Sequence, residues 1–468
     1  MRVRWGVVVF TFLMIPGLFL GLTAAFYAVA CGAEWLLTDA DLPLLGKLHF
    51  PGGGALANIV TLMLITVMVF ATVLTLAERK WSAMMQDRVG PNRANIGGFT
   101  TAGVPHMAAD AIKMLTKEDF IPATASKFLF GLAPILAFVP VFCLFAVVPV
   151  APPITWLFGQ TVALQVASPD FGLLYIFAIA SLAVYGTALA GWSSNNKFAL
   201  LGGIRASSQM ISYEVALGLS LVGAMMTYST LKLENMVTAP DALSFAQNSV
   251  LWGDASFGLP AWGIVMQPLG FVLFFAAAFA ETKRAPFDMP EGESEIIGYF
   301  VEYSGMRFGM FMIAEFMEIV VLSGVTASVF FGGYHLPFGE PLVASMIGVV
   351  GLAFVQGMTF WLKVLVLCWL QLAIRWTLPR FRYDQVQTLG WRMLLPVGLV
   401  NVFVTGALLL WDPSMRLLAI VGLLELATLV GMVLWKRSPA DESRGAPSQG
   451  HPADAHGHAH AAPAAAAH

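Results

Sequence analysis

The chain has 468 residues, 58% hydrophobic and only 11% charged, with a mean hydropathy of +0.76. Soluble domains carry about 25% charged residues, so the composition excludes a soluble globular protein and points to an all-α, polytopic transmembrane helix bundle. A net charge of −3 gives no basis for a nucleic acid partner.

Apolar runs of about 20 residues are long enough to span a bilayer. They occur at 5–30, 55–77, 128–150, 171–191, 209–228, 262–280, 308–331, 345–376, 393–411 and 415–435, which predicts ten spans. The run at 345–376 is over-long and is expected to tilt or to leave the hydrocarbon. Met1 to Arg4 are basic, but the following run exceeds a signal-peptide core and Cys31-Gly32-Ala33 is a poor cleavage site. An uncleaved first span is therefore expected. With a cytoplasmic N-terminus, only Lys47, Lys232 and Arg416 fall on the outer side and Lys363 inside a span. All other Lys and Arg are cytoplasmic. This positive-inside bias predicts both termini in the cytoplasm.

The first cytoplasmic loop reads Glu78-Arg79-Lys80-Trp81, then Asp87-Arg88-Val89-Gly90-Pro91-Asn92-Arg93, with a turn at Gly-Pro-Asn. Beyond it, Ala108, Ala111, Ile112 and Leu115 share one helical face and Asp110, Lys113 and Lys117 the other, as in a helix lying on a membrane surface. Two outer segments, 32–54 and 229–260, have the composition of insertions. Glu214 is expected some five residues into a helix, about 7–8 Å deep, where a helix N-terminus tolerates an anion.

The densest charge lies between two apolar runs. Glu281, Asp288, Glu291, Glu293, Glu295 and Glu302 are interleaved with Lys283 and Arg284. Glu281 sits at a helix C-terminus, where the dipole opposes it, although Lys283 and Arg284 are near enough in sequence to pair with it. Glu315 and Glu318 lie one turn apart inside a span. Two ionised carboxylates would repel there, so at least one is expected to hold a proton, as a relay requires. Lys363 is a further intramembrane charge able to partner such a relay. The isolated Cys31, Cys143 and Cys368 give no metal-ligand spacing, and His49, His106 and His335 give no axial haem pair. No nucleotide-binding signature is present, so no redox cofactor is expected in this chain. The tail after Arg437 is rich in Ser, Pro, Ala and His, with little to bury.

The stretches 78–92, 109–122, 191–214, 280–308 and 375–385, the last reading Arg375-Trp376-Thr377-Leu378-Pro379-Arg380-Phe381-Arg382-Tyr383-Asp384-Gln385, carry a resemblance. The chain resembles the H-subunit family of bacterial NADH:quinone oxidoreductase, respiratory complex I, over about 56–411. That family core has eight spans. The resemblance therefore implies an added helix and outer loop at 1–54, a core at 55–411 and an added helix at 412–437; composition makes 438–468 an expected disordered tail.

The resemblance also implies roles. Arg79, Asp110, Arg205 and Arg284 would line or order a quinone tunnel. Glu214, Glu281 and Glu315 would form a buried proton and coupling path, with Glu291, Glu293, Glu295 and Glu302 at its cytoplasmic mouth; Glu318 is less expected there. Quinone would be the substrate. FMN and iron–sulfur clusters would reside in partner subunits: the hydrophilic quinone-site subunits docked on the cytoplasmic loops, beside small membrane-arm subunits and lipids of the bacterial inner membrane. The same subunit type in membrane-bound hydrogenases is the alternative. A stand-alone transporter would show an internal repeat, and none is seen. A plain anchor would not need Glu214, Glu315 and Lys363 within the membrane.

Overall fold

The computed structural model describes residues 5–38, 53–96, 99–100, 103–238, 246–254, 257–290, 292 and 298–434. In chain order its main helices are α1 (Trp5–Thr38), α2 (Gly53–Met85), α3 (Pro105–Thr116), α4 (Lys127–Phe145), α5 (Gly172–Ser193), α6 (Lys197–Tyr228), α7 (Pro268–Glu281), α8 (Gly305–Phe330), α9 (Glu340–Thr377), α10 (Tyr383–Trp411) and α11 (Arg416–Leu434). Among the described residues nine of these, all but α3 and α7, are long and apolar enough to cross a membrane. Helices are the economical solution because lipid offers no hydrogen bonds to a backbone. Among the described residues the three sheets are two-stranded and lie between helices.

The expected ten spans become nine long helices and one short one. The run at 262–280 is interrupted at Gln267 (φ −141, ψ 56). Pro268 follows, lacks an N–H and starts a new helix. What remains, α7, has 14 residues, about 21 Å long. The over-long run at 345–376 lies within the 38-residue α9, broken at Gly348 (φ 74, ψ 176), a conformation that glycine tolerates. Gln356 donates to Glu340, sixteen residues away. In a straight helix those residues would be about 24 Å apart, so the first turns of α9 fold back on the rest.

α8 is the central helix. Every residue from Ala314 to Phe330 is buried, which fits a helix apolar nearly all round and makes the carboxylates within it costly to place. Small residues let its neighbours pack closely. A Cβ on Gly186 would lie 2.6 Å from the backbone N of Ala137, and one on Gly191 would lie 2.6 Å from the carbonyl of Ala199, so α4, α5 and α6 touch backbone to backbone. An aromatic stack runs from Phe19 through Phe70 to Trp361, with centroids 5.9 and 5.1 Å apart, and binds α1 to α2 and α9.

Candidate functional site

The site forms where α7 ends. Thr282 leaves the helix and Lys283 takes a left-handed φ of 55°, which stops α7. Gln209 of α6 then donates to the carbonyls of Ala280 and Phe287, both at 2.8 Å, and pins the turn. Phe287 packs between Tyr213 and Phe381. The loop is thus held against α6 and the segment before α10, and Lys283 and Arg284 are buried beside α8.

Each of those cations takes one of the two carboxylates on α8. Arg284 Nη2 lies 3.3 Å from Glu315 Oε2, and Lys283 Nζ lies 3.7 Å from Glu318 Oε2. The expected repulsion between Glu315 and Glu318 is therefore met by separate counter-charges. The pairing of Lys283 and Arg284 with Glu281 is not among the ion pairs of the described residues. Glu281 is buried, and its Oε2 has no hydrogen-bond partner among the described residues. It remains in electrostatic reach of Glu318, Lys283 and Glu214.

Arg284 has a second partner. Its Nη1 lies 3.2 Å from Glu78 Oε2 at the inner end of α2, and Arg375 Nη1 of α9 lies 2.5 Å from the other Glu78 oxygen. Phe316 stacks under the Arg284 guanidinium, 4.2 Å from ring centroid to carbon. Tyr299 donates to Glu315 at 3.4 Å. Asp288 lies next to this network and pairs with Arg380 at 3.1 Å. Burial pushes the Asp288 carboxyl up to about 6, with the Arg380 guanidinium opposing the shift.

Glu78, Arg284, Glu315 and Arg375 border a cavity of about 290 Å³, otherwise walled by Phe300, Phe308, Met312 and Phe316. A second cavity of about 230 Å³ lies under α3, against Asp110, Met114 and Lys117. The two share Arg79, Phe308 and Met312 as walls. Arg79 and Asp110 form an ion pair at 3.0 Å across the second cavity. α3 packs on α8 through Met114, whose sulfur would lie 2.9 Å from a Cβ on Gly309. The expected apolar face of α3 points away, with Ile112 and Leu115 61% and 68% exposed.

The remaining sequence-derived candidates lie elsewhere or differ in setting. α6 starts at Lys197, so Glu214 is the eighteenth residue of its helix, half-buried and far from the helix N-terminus that was expected to shelter it. Arg205 lies over the Tyr383 ring at 5.7 Å. Glu302 accepts from Asn196 at 2.6 Å, in front of α6. Glu291, Glu293 and Glu295 lie outside the described residues, as do the tail and the outer stretch around Lys47. Lys363 does not join the carboxylates: its ammonium donates to the carbonyls of Phe331, Gly333 and His335 at 2.6–2.8 Å and lies 4.4 Å over the Trp262 ring. It holds the turn that follows α8, whose last residue is Phe330. Sequence reasoning did not single out Glu78, Arg375 and Tyr299 as site residues. The signal for the first two was their position at the inner ends of apolar runs, where a buried charge needs a partner.

The NADH dehydrogenase family matches residues 57–406, which hold every residue of this network. The chain belongs to that family, among the H subunits of NADH-quinone oxidoreductases. It is 44% identical over 352 residues to the NADH-quinone oxidoreductase H subunit 1 of Geobacter metallireducens, covering 75% of this chain and 95% of the relative. It is 42% identical to the H subunit 1 of Cytophaga hutchinsonii (75% and 96% covered) and 41% identical to the H subunit of Flavobacterium psychrophilum (73% and 93%). α1 and α11 lie outside the region that the family matches.

Proposed function

We propose that the two adjoining cavities are the quinone access path of a membrane-arm subunit of NADH-quinone oxidoreductase. In this reading the carboxylates behind the cavities carry protons or coupling charge away from the quinone. One observation carries it: two cavities that share Arg79, Phe308 and Met312 as walls lie side by side, and the inner one ends on a buried cluster of acids and guanidinium groups. Apolar walls with a few polar groups are what a quinone site needs. Reducing a quinone to a quinol draws protons as well as electrons, and the buried cluster offers groups able to supply or sense them. Among the described residues, four buried carboxylates, Glu78, Glu281, Glu315 and Glu318, lie near three buried or half-buried cations, Lys283, Arg284 and Arg375. A carboxylate without a counter-charge suits proton transfer. Glu214 extends the series beyond Glu281.

The same reading gives the basic face a role. α3, with its exposed apolar residues, and the loops around Arg79, Asn196 and Glu302 would dock the hydrophilic redox arm, whose subunits would hold FMN and iron–sulfur clusters. The chain would sit in the bacterial inner membrane with both termini cytoplasmic, a core at 55–411 and an added helix at each end. The names of the relatives favour this reading over a hydrogenase-type complex.

Replacing Met312 with Trp tests the access path, because it fills the shared wall. The assembled complex is expected to show a KM for quinone raised at least fivefold with kcat within about twofold, the signature of lost substrate access. A parental KM in that variant would overturn the assignment.

A further inference from the structure

The break before α7 places a helix N-terminus among the membrane-spanning helices. Phe271 N–H donates to Gln267, and Pro268 has no N–H, so Leu269 and Gly270 are the first amides to need outside partners. α10 supports the break from one side: Gln267 Nε2 donates to Thr405 at 2.8 Å, and Asn401 Nδ2 donates to Gln267 Oε1 at 3.0 Å. α11 supports it from the other. Its Glu425, nine residues and about 14 Å along the helix, lines one cavity together with Leu269 and Asn401 and interacts there with the Leu269 backbone. Gly422, one turn earlier, lies so close to the preceding turn that a Cβ there would collide with the Val265 carbonyl and lie 3.3 Å from the Met266 carbonyl carbon. Leu418 and Ala419 pack with Val265 and Met266 in a small core. α11 itself is fixed by a tight turn in which Asp412 accepts from Ser414 and Leu417 N–H, both at 2.9 Å.

We propose that α11, which lies outside the family match, is an internal clamp on the broken helix, and that Glu425 is a positioning residue for Glu281. The carboxylate caps the N-terminus of α7 while Gly422 seats α11 against the turn before it. α7 is a single rod of 14 residues with Glu281 as its last residue. Fixing one end of the rod fixes the depth and rotation of the other. Glu281 is held this way because no ion pair among the described residues locates it, whereas Glu315 and Glu318 have Arg284 and Lys283. An anion at this position also meets the positive end of the α7 dipole, which accounts for a carboxylate within an otherwise apolar helix. The functional half of the inference rests on the proton-path reading above; the structural half does not.

The test uses the whole purified complex in lipid nanodiscs. Hydrogen exchange is read at the amides of 269–271, together with quinone-dependent NADH oxidation. Glu425→Leu removes the acceptor. Exchange at 269–271 is expected to accelerate at least tenfold, and kcat to fall at least threefold with KM within twofold. Glu425→Gln keeps an acceptor oxygen and is expected to recover at least half of both effects. Gly422→Ala, which leaves the carboxylate in place but forces α11 away from Val265, is expected to accelerate the same amides and serves if Glu425→Leu does not assemble. Unchanged exchange in Glu425→Leu or Gly422→Ala overturns the clamp. Accelerated exchange with parental turnover overturns its link to Glu281. Glu281→Gln, measured in parallel, separates the two readings: if it is silent the proton path fails, while the exchange data still decide the clamp.

Discussion

Arg284 lies 3.3 Å from Glu315 on the central helix, and its other terminal nitrogen lies 3.2 Å from Glu78 on α2, 206 residues earlier in the chain. One planar guanidinium thus joins the loop after α7 to two helices at the wall of the cavity. An ammonium is a point charge and cannot hold two carboxylates in this fork geometry. Arg284→Lys is expected to lower quinone-dependent turnover at least tenfold in complexes that assemble. Arg284→Met leaves two buried acids short of a partner, a defect of about 3–5 kcal/mol, and is expected to reduce assembly itself. Parental turnover in Arg284→Lys, measured per assembled complex, would show that the fork has no part in the reaction.

Asp288 gives a pH-dependent prediction. Its carboxyl titrates at about 6 in the fold against an ordinary 3.8, so burial favours the neutral form. The stability gained this way is complete below the ordinary value and is lost as pH rises through about 6. The whole difference is on the order of 3 kcal/mol. Asp288→Asn cannot ionise. Its melting temperature relative to the parent is therefore expected to rise between about pH 5 and about pH 7.5. A constant gap across that range, measured by thermal melts of the purified complex, would refute the assignment.

Lys363 is assigned to structure rather than to proton transfer. Hydrogen bonds to a charged group contribute about 1.5–3 kcal/mol each, and Lys363 makes three to carbonyls of the turn that follows α8. Lys363→Met is expected to lower the melting temperature of the complex by several degrees, while turnover per intact complex stays within about twofold. The opposite pattern, a parental melting temperature with lost proton pumping, would return Lys363 to the relay.

The Lys and Arg asymmetry predicts that both termini lie in the cytoplasm. A cytosol-active reporter fused after His468 is expected to be active, and a periplasm-active one silent. The reverse result would remove one span from the topology, and the short α7 is the first segment that would have to be re-read.

Much of this was legible in the sequence because membrane insertion acts on composition. Runs long enough to span a bilayer stand out, and so do Glu281, Glu315 and Lys363 within them. The break at Gln267 was hidden because apolar composition continues through it and only Pro268 marks the change. The start of α6 at Lys197 was hidden for a related reason: polar residues from Arg205 to Ser212 continue the helix beyond its apolar part, so Glu214 was read as shallow. Partner choice was the least legible. Nothing in the local sequence tells Arg284 to take Glu78 and Glu315 rather than Glu281, since that selection is made by the packing of α2, α8 and the turn at Lys283.

The carboxylates are the decisive test of mechanism. Glu315 is paired with Arg284 and bonded to Tyr299 at the cavity, Glu281 is buried without an ion pair among the described residues, and Glu214 lies half-buried within reach of it. Glutamine keeps the shape and the hydrogen bonding of these side chains but cannot carry a proton. Glu214→Gln and Glu315→Gln are expected to assemble, and to lose quinone-dependent NADH oxidation and the coupled proton gradient together, by at least fivefold. Because the loss would fall in the working cycle rather than in binding, KM for quinone should change much less than kcat. Reduction of an artificial acceptor by the hydrophilic arm should persist, since that electron path would lie in other subunits. A variant with full oxidation but no gradient would place its residue in pumping alone. Full activity by both measures in both variants would leave these acids as packing, with Glu315 serving only as the anchor that Arg284 needs.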